Sequence, residues 1–146
     1  MAHWPDGRRG DRAALGLAAL MLVAGVAHFV VTDRYAAIVP AGLGDARAWV
    51  RISGAAEILA AGLLVSPRTR RAGGWFVAAL LVAVFPANLK MAFDGGVSGE
   101  TGLLLSGLAA WLRLPLQIPL VVWAVRVATF AAARRDSEHE LAAGTG

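Results

Sequence analysis

An acid inside an apolar segment sets the strongest limit on how this chain can fold: Val50 to Ser66 carries one carboxylate, Glu57. Basic residues follow at once, at Arg68, Arg70 and Arg71. An apolar run that ends in a basic cluster is typical of a membrane span that reaches the cytoplasmic surface. Because a charged side chain in the middle of a span costs about 2.5–3.5 kcal/mol on insertion scales, Glu57 is expected to face protein or water.

The residues one helical turn from Glu57 favour a protein environment. They are Ser53, Gly54, Ala60 and Ala61. Small residues allow another helix to approach closely, and the Ser53 hydroxyl can hydrogen-bond the carboxyl group. We therefore expect Glu57 to lie at the centre of a helix bundle in a membrane.

The composition agrees with a membrane domain and excludes several kinds of site. The chain has 146 residues, 58% of them hydrophobic, and charged residues make up 16%, against about 25% in soluble domains. The net charge is +4, but the arginines flank apolar runs, so membrane topology explains them better than nucleic-acid binding. Without cysteine there are no disulfides or thiolate metal sites. The three histidines, His3, His28 and His139, lack metal-ligand spacing.

The apolar runs predict an all-α fold, an integral membrane four-helix bundle over residues 13–133. Residues 1–12 and 134–146 are predicted to be disordered cytoplasmic tails. The first span is Ala13 to Val31, and Tyr35 to Gly44 is predicted to be an irregular loop. Asp45 can cap a short amphipathic lead-in to the second helix, which carries Arg47 and Trp49, and Pro67 ends that helix after Ser66.

The last part of the bundle is harder to divide. The third span begins near Ala72 and reaches Met91, and Asp94 to Gly102 are predicted to form a glycine-rich outer loop. A single helix from Leu103 to Ala133 would be too long for a core of about 30 Å. We therefore predict a break at Arg113 and Leu114. Leu103 to Trp111 then form a short outer interfacial or re-entrant helix, and the fourth span follows the break.

The distribution of basic residues predicts the orientation. With four spans both termini share one side, where eight arginines fall: Arg8, Arg9, Arg12, Arg68, Arg70, Arg71, Arg134 and Arg135. Five basic residues fall on the other side: Arg34, Arg47, Arg51, Lys90 and Arg113. This bias favours cytoplasmic termini.

Under this topology each span places a polar side chain at a similar outer depth. These candidate site residues are His28, Glu57, Asn88, Arg113 and Gln117. Buried polar groups in lipid need partners, so a shared cluster that binds a ligand is one interpretation.

Each candidate also has a purely structural interpretation. Glu57 can be a structural acid neutralised by a nearby cation, and His28 can meet lipid headgroups at the interface. Asn88 can bond carbonyls freed near Pro86, Gln117 can join two helices, and Arg113 can anchor in the headgroups.

Four stretches in order resemble the DoxX-like family of small four-helix membrane proteins. They are Ala27 to Phe29 with Ile38 to Pro40, Ser53 to Leu59, Phe85 to Ala92, and Arg113 to Gln117. The resemblance implies a bacterial inner-membrane location. It also implies that the five candidate residues are the family's characteristic polar positions.

Relatives in the DoxX-like family include a subunit associated with thiosulfate:quinone oxidoreduction and proteins linked to oxidative-stress complexes. The resemblance therefore implies an accessory, redox-associated subunit rather than an enzyme on its own, with a quinone-like or other small molecule held in the outer half of the bundle. Two alternatives remain: a partner that assembles or stabilises another membrane or envelope protein, and a proton-coupled small-molecule transporter that uses Glu57. No nucleic acid and no metal are expected.

Overall fold

The computed structural model describes residues 7–40, 42–96 and 107–143, and the regular structure in these ranges is helical. The helices are α1 (Gly7–Val30), α2 (Thr32–Ala36), α3 (Ala46–Val65), α4 (Arg70–Phe93) and α5 (Gly107–Ala143). The predicted all-α fold is therefore confirmed.

Within the described residues, four segments are long and apolar enough to cross a membrane. They are Arg8–Val30, Ala46–Val65, Arg70–Phe93 and Gly107–Arg134. At about 1.5 Å per residue, even the shortest of them reaches the roughly 30 Å of a hydrocarbon core. The length and composition of the helices thus identify a multi-pass membrane protein.

Small residues let the four long helices pack closely. α1 packs against α3, α4 packs against α5, and contacts of α3 with α4 and α1 with α5 close the bundle. A Cβ atom added to Gly74 in α4 would lie 2.8 Å from the Ala124 carbonyl oxygen in α5. Larger side chains fill the centre of the core, among them Leu17, Leu64 and Val77. Since lipid gives helices no hydrophobic reason to associate, this close backbone packing is the expected source of cohesion.

The ends of the second span are confirmed as predicted. The Asp45 carboxylate accepts hydrogen bonds from the backbone N–H groups of Arg47 and Ala48, at 2.9 and 3.3 Å. α3 ends at Val65, two residues before Pro67. The loop before it differs from the prediction, because its first residues, including Tyr35, belong to the short helix α2.

Helix α1 begins at Gly7, inside the tail that was predicted to be disordered. Asp11 supplies the reason, since it pairs with arginines of α4 and α5 and so fixes the first turns. At the other terminus, α5 continues through Arg134 to Ala143, where a disordered tail was also predicted. That segment is rich in Ala, Arg and Glu, which are strong helix formers.

The predicted break at Arg113 and Leu114 is wrong, because α5 runs through it without interruption. Pro115 and Pro119 lie inside this helix. Proline is tolerated within membrane helices when neighbouring groups satisfy the freed carbonyls. Of the predicted separate segment, residues 107–111 form the first turns of α5, and residues 103–106 lie outside the described ranges.

The two ends of the bundle hold different polar groups and are named here for reference. The α2 end contains the end of α1, all of α2 and the start of α3. The Arg70 end contains the start of α1, the end of α3 and the start of α4.

Candidate functional site

Glu57 lies at the interface of α1 and α3, where two glycines bring the backbones together. A Cβ atom on Gly25 would lie 2.8 Å from the Gly54 carbonyl oxygen, and one on Gly54 would lie 2.7 Å from the His28 Cβ. The backbones of α1 and α3 are therefore almost in contact where the two helices cross. This close approach places the Glu57 side chain beside the His28 ring.

The His28 ring contacts a carboxylate and a carbonyl through the same nitrogen. Its Nδ1 lies 3.1 Å from Glu57 Oε2 and 2.8 Å from the Ala24 carbonyl oxygen. Since a carbonyl only accepts, the hydrogen bond to Ala24 requires a proton on Nδ1. The contact with Glu57 is an ion pair when the ring is protonated, and a polar contact when the ring is neutral.

Two further side chains define the surroundings of the ring. Tyr35 from α2 stacks on His28, with ring centroids 4.3 Å apart and planes 8° from parallel. The Thr32 hydroxyl donates a hydrogen bond to the His28 carbonyl oxygen at 2.7 Å. The short helix α2 therefore closes one side of the His28–Glu57 pair.

Two buried oxygens beside this pair lack a hydrogen bond within the described part of the chain: Ser53 Oγ and Glu57 Oε2. The expected hydrogen bond from Ser53 to the carboxyl group is therefore absent. The Glu57 side chain is only 11% exposed. Because buried polar atoms are nearly always hydrogen-bonded, two neighbouring exceptions one turn apart need an explanation. A ligand that donates hydrogen bonds would supply one.

Asn88 and Gln117 form a second polar pair, between α4 and α5. Asn88 Nδ2 donates to Gln117 Oε1 at 3.3 Å, and Gln117 Nε2 donates to the Leu81 carbonyl oxygen. Leu81 directly precedes Val82, whose carbonyl lacks its helical donor because Pro86 has no N–H. Gln117, rather than the predicted Asn88, therefore bonds the backbone near this proline. This pair joins two helices.

Arg113 lies one turn before Gln117 on α5 and contacts α4. Its Nη1 is 3.7 Å from the Met91 sulfur, and the side chain is partly buried. The five candidate residues thus fall into two groups. His28 and Glu57 meet on the α1–α3 interface, whereas Asn88, Gln117 and Arg113 lie on the α4–α5 interface.

The sequence analysis missed a polar network at the Arg70 end. The buried Arg70 side chain donates through Nε to the Leu64 carbonyl oxygen at 3.0 Å and through Nη2 to the Val65 carbonyl oxygen at 3.3 Å. Its Nη1 donates to Asp11 Oδ1 at 2.5 Å, and Arg134 reaches the same oxygen at 3.1 Å. The network ties α1, α4 and α5 to the last turn of α3.

Sequence signals existed for some of these missed residues. Asp11 stands between Arg9 and Arg12 just before the first span, and an acid among basic residues at that place indicates an ion pair. Tyr35 has no comparable local signal, because it lies in α2 and not in the helix that carries His28. Nothing local distinguishes Arg70 from Arg68 and Arg71, because its role depends on contacts distant in sequence.

Within residues 7–40, 42–96 and 107–143, no three His, Cys, Asp or Glu side chains lie close enough together to hold a metal ion. The His28–Glu57 pair itself offers groups for hydrogen bonding and proton exchange.

The fold and the buried pair together define a helical multi-pass membrane protein with an acid and a histidine in contact between two spans. The chain belongs to the family described as Domain of unknown function (DUF8561), whose model matches residues 17–128. This match covers the His28–Glu57 pair and the Asn88–Gln117 pair. No curated protein and no solved structure matches the chain.

Proposed function

We propose that this protein is a DoxX-like accessory subunit of the bacterial inner membrane that binds a quinone-like small molecule at the His28–Glu57 pair. One observation carries the ligand site: a buried carboxylate oxygen, Glu57 Oε2, that contacts a histidine but accepts no hydrogen bond from the described residues. The redox association and the accessory role come from the DoxX resemblance.

The pair suits a ligand whose oxygens are hydroxyl groups in one redox state and carbonyl groups in the other, as in a quinol and its quinone. The hydroxyl of a quinol would donate to the free oxygen of Glu57. Because the hydrogen on His28 Nδ1 is committed to the Ala24 carbonyl, Nε2 is the nitrogen left for proton exchange. A protonated Nε2 donates to a quinone carbonyl, and a neutral Nε2 accepts from a quinol hydroxyl.

Equilibrium binding of short-chain ubiquinol to the purified protein in nanodiscs tests the proposal. We expect wild-type protein to bind and Glu57→Gln to lose roughly tenfold or more in affinity, since a hydrogen bond to a charged group contributes about 1.5–3 kcal/mol. Glu140→Gln is the matched control, because Glu140 is exposed near the end of α5. Absence of binding to wild-type protein, or equal binding by Glu57→Gln, would overturn the quinol site.

A proton-coupled transporter is the second candidate, favoured by the burial of an acid within a candidate span. In sealed vesicles, a transporter would change the internal pH when substrate is added, and Glu57→Gln would abolish that change. Ligand binding without proton flux would support the accessory subunit instead. Stable co-purification with one membrane protein, without any ligand, would favour the assembly role.

Cytoplasmic termini are part of the same proposal, and the basic residues near α1, α4 and α5 support them. The chain has no cysteine, so single cysteines report their position without background. Leu43 is exposed before α3, and Arg68 is exposed after it. In intact cells an impermeant thiol reagent should label Leu43→Cys and spare Arg68→Cys. The opposite pattern would reverse the orientation.

A further inference from the structure

A groove of about 570 Å³ opens at the α2 end, where α1 ends and α3 begins. Its polar lining includes Thr32, Asp33, Arg34, Arg47 and Arg51, and Phe29 and Val30 belong to its apolar side. The five candidate residues discussed above do not line it. The groove is therefore a feature separate from the His28–Glu57 pair.

The lining of this groove carries three guanidinium groups and one carboxylate. The carboxylate of Asp33 is already paired, because Arg47 Nε donates to its Oδ1 at 2.7 Å. Arg51 forms no hydrogen bond or ion pair with any residue that the structure describes, and its side chain is exposed. Arg51 therefore keeps a positive charge that no acid of the described residues pairs with, so the groove suits an anion.

The position of the groove narrows the class of anion. Phe29 and Val30 form the end of a candidate span, and Arg51 lies in the first turns of the next one. The arginines therefore lie at the depth where a span leaves the hydrocarbon core, with exposed apolar side chains directly below. A ligand that places a phosphate on the arginines and an acyl chain along Phe29 matches both halves of this surface.

We propose that this groove is a binding site for the phosphate group of an anionic phospholipid, with Arg51 as its principal contact and Arg47 beside it. Guanidinium groups bind phosphate oxygens with paired, charge-assisted hydrogen bonds. Arg47 can turn one face to the phosphate while its Nε stays on Asp33. The proposal does not depend on the ligand of the His28–Glu57 pair.

Native mass spectrometry of the full chain in an uncharged detergent provides the test. Titration with phosphatidylglycerol and with phosphatidylcholine should give one tightly bound phosphatidylglycerol and markedly weaker retention of phosphatidylcholine. Arg51→Gln should lower phosphatidylglycerol affinity about tenfold, the effect of losing one charge-assisted contact. Arg68→Gln is the matched control, because Arg68 is an exposed arginine in the turn at the opposite end. It should bind like wild-type protein.

Competition with inorganic phosphate distinguishes a site for a lipid phosphate from a site for soluble phosphates. Failure of phosphate to displace the lipid supports a headgroup site, whereas displacement at millimolar phosphate supports an anion site open to soluble phosphates. Equal loss in Arg68→Gln and Arg51→Gln, or unchanged binding by Arg51→Gln, overturns the proposal. The melting temperature of Arg51→Gln serves as the folding control. If it equals that of wild-type protein, a loss of lipid binding is not caused by unfolding.

Discussion

Arg70 and Glu57 are buried to a similar degree at different levels of one bundle, yet their hydrogen bonding differs. The side chain of Arg70 is 7% exposed and that of Glu57 is 11% exposed. All three guanidinium nitrogens of Arg70 donate to an oxygen. Glu57 Oε2 and the neighbouring Ser53 Oγ accept no hydrogen bond from the described residues.

This difference separates a structural role from a ligand-binding role better than burial does. A charge whose hydrogen bonds are all made holds its neighbours together, and its removal leaves those neighbours unpaired. A buried charge with an unused acceptor is destabilising, because the hydrogen bonds that it makes do not fully offset its loss of hydration. Such a group is favoured when something else, such as a ligand, uses the acceptor.

The largest expected effect is the loss of Arg70. Arg70→Met should lower the free energy of unfolding by about 3 kcal/mol, because it removes three contacts, one of them the ion pair with Asp11. Reversible unfolding of the purified protein in mixed detergent measures the change. Arg71→Met is the control, since Arg71 is the exposed neighbour and should change stability by roughly 0.5 kcal/mol or less. Similar losses in both variants would show that the network is not structural.

The second-largest change in stability is expected at the contact between α1 and α3 beside Glu57. Gly54→Ala should cost about 1–3 kcal/mol, because the new methyl group would overlap the His28 Cβ and the Gly25 carbonyl oxygen. Gly62→Ala, in the same helix, meets no atom within 4 Å and should gain up to about 1 kcal/mol from helix propensity. Unfolding measurements that gave the two variants the same sign would contradict this close packing of α1 and α3.

A smaller effect tests the division of the five candidate residues into two groups, where the sequence predicted a single cluster. Asn88→Ala and Gln117→Ala should be non-additive by about 0.6 kcal/mol, the average for hydrogen bonds between membrane helices. Asn88→Ala combined with His28→Ala should be additive, because those residues lie on different helix interfaces. Coupling of similar size in both double-mutant cycles would restore the single cluster.

Local chemistry explains which parts of the fold the sequence predicts. The cap at Asp45, the end before Pro67 and the burial of Glu57 each follow from a residue and its immediate neighbours. Contacts distant in sequence explain the errors. Asp11 orders the start of α1 through Arg70, 59 residues away, and the proline-containing part of α5 stays helical against α4. The same limit applies to the candidate polar residues. Their positions along the spans predicted a similar depth in the membrane, but which of them contact each other depends on how the helices pack.

The smallest change in stability is expected at Glu57 itself. Glu57→Gln keeps the shape of the side chain and replaces a buried charge by a neutral amide, so a lower cost of burial offsets the weakened contact with His28. The free energy of unfolding should change by about 1 kcal/mol or less, against about 3 kcal/mol for Arg70→Met. Unfolding in the absence of ligand, under the conditions used for Arg70→Met, measures this difference. A loss of stability in Glu57→Gln as large as that in Arg70→Met would show that Glu57 is a structural acid. The carboxylate would then stabilise the bundle without any ligand.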